Sequence, residues 1–167
     1  GDGRAGVVDY SQWKVPPYKS HFQNDLFDHL KPYVVVNNIF NIEGSGFYPE
    51  KYFDIQHLYN LFTELNSRGY HVIYKRPDNT EFALDANEES TVHNNVTLTA
   101  DVEGIGVISD YQLCDYFDNV TNITELQKEH GLDYSTTNLK VFAESSGFIS
   151  VNGGGYQLCA CFDTPTI

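Results

Sequence analysis

The stretch from Asp54 to Tyr74, DIQHLYNLFTELNSRGYHVIY, decides the fold. Asp54 is a good N-cap, and apolar residues then recur every three or four positions up to Gly69, where glycine permits the left-handed conformation that ends a helix. The apolar run Tyr70 to Tyr74 follows at once and has the composition of a buried strand. The stretch therefore predicts a helix that passes through a short turn into a strand.

A second apolar run precedes this stretch. Tyr33 to Val36 is continuous and rich in β-branched residues, which is typical of a strand covered on both faces. A strand, a helix and a strand in this order form a βαβ unit, whose strands are parallel and whose crossover is right-handed. Phe148 to Val151 has the pattern of a further strand. We therefore expect a three-layer α/β domain with a mainly parallel sheet.

The remaining patterns are shorter and predict minor elements between these strands. Proline ends helices and small polar residues begin them, which helps to place the boundaries. We expect a helix from His21 to Leu30, a short strand at Val107-Ile108, a helix from Ile123 to His130, and a helix capped by Ser135 that runs through Ala143.

The two ends of the chain bear on its domain organisation. Residues 1–20 show no sustained period and contain Pro16-Pro17, so we expect an extended N-terminal arm, part of it an artificial expression sequence. Residues 21–167 are expected to form a single domain. Methionine is absent, even at position 1, and Pro165 to Ile167 has the look of a strand interrupted as it begins. We therefore expect a fragment of a longer chain.

Charge and hydropathy exclude two classes of partner. The chain has 23 acidic and 10 basic residues, and its formal net charge of −13 repels nucleic acid and anionic membrane surfaces. It contains no apolar run near the ~20 residues that span a bilayer, and no signal peptide pattern. We expect no nucleic-acid binding and no membrane insertion.

Cysteine usage bears on the compartment. The three cysteines are an odd number, and Cys159 and Cys161 lie two apart in a predicted helix, where their side chains diverge. No disulfide framework is implied, so we expect a reducing, cytoplasmic location. Secretion stays an alternative because three N-x-Ser/Thr sequons occur, at Asn95, Asn119 and Asn122.

Polar residues follow three of the predicted strands, where ligands of open parallel sheets bind. The glycines after the last strand let backbone amides approach a phosphate, and an arginine fork suits a diphosphate. The alternatives are a tight turn without a ligand, a surface ion pair for the arginine, and loop capping for the asparagines. The candidate nucleotide-binding residues are Asn37, Asn38, Arg76, Asn152, Gly153, Gly154, Gly155, Tyr156 and Gln157, and Lys75 lies beside them in sequence.

Catalytic and metal-binding patterns are weaker. The six histidines lack HExxH or paired spacing, so no metal site is predicted. Cys114 has no histidine partner in sequence and fits a small core residue. The acidic residues fit a solvated face, and no catalytic base is assigned.

Several short motifs follow one another along the chain: Val34-Val-Val-Asn-Asn38, Glu43-Gly44, Phe53-Asp54-Ile55, Val72-Ile-Tyr-Lys-Arg-Pro77 and Phe148-Ile-Ser-Val-Asn-Gly-Gly154. Together they resemble the donor-binding half of a GT-B glycosyltransferase from microbial and viral proteins. In that family a strand ends in Asn, a helix follows, the next strand ends in Tyr-x-Arg-Pro, and a Phe-Ile-Ser-Val-x-Gly-Gly turn comes later. The resemblance covers about residues 33–167.

The resemblance implies a Rossmann-like domain that binds a nucleoside-diphosphate sugar as donor substrate, without a further cofactor, and serves transfer to a carbohydrate acceptor. It places Asn152, the glycines after it and Arg76 near the diphosphate. GT-B catalysis takes place between two domains, so a second Rossmann-like domain of the parent chain is the implied partner and this chain alone is expected to be inactive. The alternatives are a non-catalytic binding module and a small flavodoxin-like nucleotide binder.

Overall fold

The structure of the chain, a computed structural model, describes residues 14, 17–40, 51–76, 97–151 and 154–167. The candidate residues Asn152 and Gly153 lie outside the described residues. The strands are β1 (Tyr33–Asn37), β2 (His71–Lys75), β3 (Thr99–Val102), β4 (Gly106–Ser109), β5 (Val120–Asn122) and β6 (Gly147–Ser150). The α-helices are α1 (Tyr18–His21), α2 (Ile55–Ser67), α3 (Asp110–Cys114), α4 (Ile123–His130), α5 (Tyr134–Glu144) and α6 (Gly154–Cys159), and short 3₁₀ turns occupy Asp28–Leu30 and Ala160–Phe162.

Four strands form a parallel sheet in the order β5-β2-β1-β6. The first two predicted strands pair in parallel from Tyr33 with His71 to Asn37 with Lys75, and β6 pairs with the other side of β1. Beyond β6, Thr166 forms a parallel bridge with Phe148, so the last residues described start a further row of the sheet. The predicted α/β fold with a parallel sheet is therefore confirmed.

Helix α2 forms as its sequence predicts. The Asp54 side chain accepts a hydrogen bond from the backbone N–H of His57 at 2.7 Å, and Gly69 has φ +84° just after the helix. The buried stripe of the helix consists of Ile55, Leu58, Phe62 and Leu65, spaced three or four residues apart. This stripe packs the helix on one face of the sheet.

Alternation along the strands divides the core into two parts. The side that we call the α2 face carries Val34, Val36, Val72 and Tyr74 and packs on α2, α3 and the β3–β4 hairpin. The opposite side, the α5 face, carries Tyr33, Val35, Ile73 and Phe148 and packs on α4, α5, and α6 with the turn after it. The sheet thus lies between two covering layers, which is the predicted three-layer, Rossmann-like arrangement.

Two strand assignments differ from the prediction. Val107-Ile108 does lie in a strand, β4, but that strand pairs antiparallel with β3 in a separate two-stranded sheet. The third parallel strand of the main sheet is instead β5, which the sequence analysis missed. β5 has only three residues, Val-Thr-Asn, and so carries too little pattern to be read from sequence.

The helix near the N-terminus differs from the prediction in its position and length. The Asn24 side chain accepts from the backbone N–H of Leu26 and donates to the carbonyls of Phe22 and Lys140, and such local bonds compete with a helix. The expected helix over His21 to Leu30 is therefore replaced by α1 and a 3₁₀ turn. Residues 18–20, expected in an extended arm, belong to α1.

The cap of α5 also lies elsewhere than expected. Asp133, not Ser135, caps the helix, because its carboxylate accepts from the Thr136 backbone N–H at 2.8 Å and from the Thr136 hydroxyl at 2.6 Å.

Within the described ranges, no helix has both the length and the apolar character required to cross a membrane.

Candidate functional site

The order of the strands locates the natural ligand crevice of the sheet. β1 lies between β2, reached through α2 on one face, and β6, which is followed by α6 on the opposite face. In open parallel sheets, ligands bind at the carboxyl ends of the strands where the strand order reverses. In this chain that point lies where β1 ends at Asn37 and β6 ends at Ser150.

Three polar side chains meet at this point on the α5 face. Asn37 donates through Nδ2 to the Ser150 hydroxyl at 2.7 Å and accepts through Oδ1 from Nζ of Lys75 at 2.9 Å. The Lys75 Nζ also lies 5.6 Å from the centre of the Tyr134 ring. The last residues of three adjacent strands are therefore joined by hydrogen bonds at the carboxyl edge.

Lys75 is the unusual member of this group. Its side chain is buried, with only 7 % of the residue exposed, and no carboxylate of the described residues forms an ion pair with it. Buried lysines are rare unless they are paired. An ammonium group has three N–H donors, and Asn37 takes one of them. The site therefore offers an incoming anion a buried positive charge with donors to spare.

A cavity of about 320 Å³ opens beside Lys75 on the α5 face. The start of α5 contributes Tyr134 and Ser135, and Leu158 of α6 lies on the other side. The remaining lining residues, Asn138, Leu139 and Phe142, follow along α5. Nearby, burial raises the pKa of the Cys159 thiol to about 11, although the positive charge of Lys75 acts in the opposite direction.

Arg76 lies on the other face of the sheet, in a buried polar network. Its guanidinium donates to both carboxylate oxygens of Asp110, which is fully buried at the start of α3. Tyr74 donates its hydroxyl to the same carboxylate at 2.7 Å, and the hydroxyl of Tyr111 donates to the Arg76 carbonyl. The Arg76 guanidinium also lies over the Tyr111 ring, 4.6 Å from its centre.

The charges in this network shift the titration of its members. Burial alone lowers the pKa of Arg76, but the hydrogen bonds and charge of Asp110 raise it above its ordinary value overall. Burial, and then the negative charge of Asp110, raise the pKa of Tyr74 well above its ordinary value. Arg76 therefore stays cationic and Tyr74 neutral, and both act as hydrogen-bond donors to Asp110.

Asn38 completes the network. Its Oδ1 accepts from the backbone N–H of Phe53 at 2.8 Å, while its Nδ2 donates to the Phe53 carbonyl and to the Tyr74 hydroxyl. This geometry matches the loop-capping alternative, because Asn38 joins the end of β1 to the segment that leads into α2. For Arg76 the alternative to ligand binding was a surface ion pair. Arg76 does form an ion pair, with Asp110, but this pair is buried.

The predicted site residues therefore do not share one crevice. Asn37 lies on the α5 face with Lys75, whereas Asn38 and Arg76 lie on the α2 face, because consecutive strand residues point to opposite sides. The residues Gly154, Gly155, Tyr156 and Gln157 form the first four positions of α6.

Sequence reasoning missed two residues of the cavity. Lys75 is not among the candidate residues, although it lies two positions after Ile73 in β2 and therefore on the same side of the sheet, the α5 face. Asn138 carries no signal in the sequence, because it is one polar residue within a helical pattern. Its role depends on contacts that only the fold defines.

Metal chemistry finds no support in the part of the chain that the structure describes, where no three His, Cys, Asp or Glu side chains cluster closely enough to hold an ion. No known protein family, characterised protein or solved structure matches the chain. The resemblance to GT-B glycosyltransferases stays a prediction.

Proposed function

We propose that this domain binds a small phosphate-bearing molecule at the carboxyl edge of the sheet, with Lys75 as its cationic contact. The observation that carries the proposal is a buried ammonium group, at the point where the strand order reverses, that no described carboxylate pairs with. The chain has a formal net charge of −13, so carboxylates are abundant, yet none of those described pairs with this lysine. A bound phosphate supplies the missing negative charge.

The described side chains that contact the Lys75 ammonium group are uncharged, so its positive charge is available to a bound anion. Asn37 orients the ammonium group from one side, and the Tyr134 ring lies on another. The Ser150 hydroxyl lies next to Asn37 and brings a further polar group to the crevice. In this low-dielectric setting, one charged hydrogen bond contributes roughly 1.5–3 kcal/mol to binding.

The resemblance to GT-B proteins suggests the finer identity of the ligand. We propose a nucleoside-diphosphate sugar, with the domain acting as the donor-binding half of a glycosyltransferase. In such a transfer an acceptor hydroxyl forms the new bond to the anomeric carbon and releases its proton to solvent, while the nucleoside diphosphate leaves with the electron pair of the broken bond. Lys75 offsets the negative charge that develops on the diphosphate. Arg76 is not part of this proposal, because its guanidinium is held by Asp110.

A non-catalytic binding module is the second candidate. The described cavity is lined by ammonium, amide, hydroxyl and apolar groups, all of which can hold a ligand by hydrogen bonds and apolar contacts. Both candidates predict nucleotide binding. Transfer or release of sugar from a nucleoside-diphosphate sugar, measured on the full-length protein, distinguishes them.

The test of binding is calorimetric titration of the folded chain with UDP, GDP, ADP, dTDP and pyrophosphate. Lys75→Met should weaken the binding of the preferred probe at least about tenfold, the equivalent of one charged hydrogen bond. Methionine removes a buried charge that has no carboxylate partner among the described residues, but it also leaves Asn37 Oδ1 without its donor. These effects oppose each other, so this variant should melt near the temperature of the wild type. Lys128→Met, at an exposed position of α4, is the matched control and should bind as the wild type does.

Two results would overturn the proposal. One is a folded wild-type chain that binds none of the five probes at millimolar concentration. The other is a Lys75→Met variant that binds them as tightly as the Lys128→Met control.

A further inference from the structure

Asn138 has a buried side-chain amide whose oxygen accepts no hydrogen bond from the described residues. The residue is 5 % exposed, and its Oδ1 atom is buried and has no hydrogen-bond partner among the described residues. Such an unsatisfied group destabilises a fold, so native proteins keep few of them, and each one requires a reason.

The other buried asparagines show how exceptional this is. Asn37 bonds to Lys75 and Ser150, Asn38 bonds to Phe53 and Tyr74, and Asn122 caps α4 by accepting from the Thr124 backbone N–H at 3.1 Å. Among the buried asparagines that the structure describes, Asn138 alone lacks such partners.

Its neighbour in the helix makes the same comparison. Thr137 is equally buried, and its hydroxyl donates to the Asp133 carbonyl at 2.8 Å. The first turn of α5 therefore gives the buried hydroxyl of Thr137 a hydrogen-bond partner within the helix. The side-chain oxygen of Asn138, one position further along the same helix, has no such partner among the described residues.

The position of Asn138 suggests its purpose, because it lines the cavity that also contains Lys75. The cavity combines a cation with the apolar side chains of Leu139, Phe142 and Leu158. A carboxamide carries a donor and an acceptor in one plane, so it pairs with a planar group that has the complementary edge. Apolar side chains beside it suit the faces of such a flat group.

We propose that Asn138 is a specificity-determining residue that hydrogen-bonds the uncharged, planar part of the ligand whose phosphate is held by Lys75. This inference rests on the proposed function and assigns the two ends of the ligand to two different residues of one cavity. The unsatisfied amide is then a group kept for the ligand at the expense of stability.

The experiment compares Asn138→Leu with Lys75→Met. Leucine has nearly the shape of asparagine and needs no hydrogen bond, so we expect Asn138→Leu to melt at or above the temperature of the wild type. In titrations it should bind the preferred nucleoside diphosphate among UDP, GDP, ADP and dTDP about tenfold more weakly, yet bind pyrophosphate as the wild type does. Lys75→Met should weaken both kinds of probe.

The outcomes separate the two proposals. If Lys75→Met loses binding while Asn138→Leu binds the nucleotide normally, the inference about Asn138 is wrong and the proposed function stands. If Asn138→Leu melts lower than the wild type or fails to fold, the amide is structural and the inference is also overturned. If Lys75→Met binds normally, or the wild type binds no probe, the proposed function fails and the role of Asn138 fails with it.

Discussion

Arg76 and Asp110 meet inside the protein in a two-point contact, Nε to Oδ2 at 2.5 Å and Nη2 to Oδ1 at 3.0 Å. The contact joins the residue after β2 to the first residue of α3, and both side chains are almost fully buried. Asp110 also accepts from the hydroxyl of Tyr74, so its carboxylate is well satisfied. We interpret this pair as the fastening of α3 and the β3–β4 hairpin to the main sheet.

Removing one partner of this pair should destabilise the domain strongly. Asp110→Ala removes the buried carboxylate that pairs with Arg76 and accepts from Tyr74, and we expect the free energy of unfolding to fall by about 3–5 kcal/mol in urea titrations. The control is Glu64→Ala, which breaks the Arg68 to Glu64 pair on the exposed surface of α2 and should cost less than about 1 kcal/mol. Equal losses for the two variants would contradict a structural role for the buried pair.

Gly69 should be far less tolerant of a side chain than Gly147. Gly69 has φ +84° with open space around it, so alanine there costs only backbone strain, about 1 kcal/mol. At Gly147 an added Cβ lies 3.5 Å from the Pro165 carbonyl oxygen, an ordinary contact, and the change should stay within about 0.5 kcal/mol. Thermal unfolding of the two alanine variants measures the difference, and a lower stability for Gly147→Ala would refute this ranking.

Stability should fall in mild acid through His71. Burial, and then the nearby charge of His29, lower the pKa of His71 below its ordinary value. As the pH drops below about 6.5, the unfolded chain therefore takes up a proton that the folded chain resists, and the free energy of unfolding decreases. We expect urea titrations between pH 8 and pH 5 to show a shallower loss for His71→Gln than for the wild type. Identical slopes would show that His71 does not contribute.

One cysteine of the three should react quickly in the native protein. Cys161 is partly exposed, whereas Cys114 and Cys159 are buried, and burial raises the pKa of both buried thiols. A thiol reagent such as DTNB at pH 8 should label one thiol per chain rapidly and the other two only on unfolding. Cys161→Ser should abolish the rapid phase, and a rapid phase that survives in this variant would contradict the assignment.

The secure elements of the fold were those with a long, repeated pattern. The helix behind Asp54 and the strands at Tyr33, His71 and Gly147 follow from apolar spacing and composition, and all are confirmed. The edge strand at Val120 escaped prediction because it has only three residues, two of which are polar. Boundaries set by a single side chain, such as the Asp133 cap, were also missed, since two good capping residues stood close together.

The candidate site was harder to predict for a different reason. The sequence shows that polar residues end the strands, but their partners come from helices whose packing depends on the whole fold. Arg76 was chosen for its chemistry, and its pairing with Asp110, 34 positions away, was not visible. Lys75 seemed unremarkable until burial and the contacts of its Nζ were known.

Asn37, the last residue of β1, and Asn38, which follows it, also constrain how the sequence of this strand can vary. Asn37 serves one layer and Asn38 the other, so the number of residues from Tyr33 to Asn37 sets which layer each one reaches. Deleting one residue from the run Val34 to Val36 would exchange them, because side chains alternate along a strand. Both polar groups would then lose their partners at once. Homologous chains should therefore vary in which apolar residues fill this strand, but not in their number.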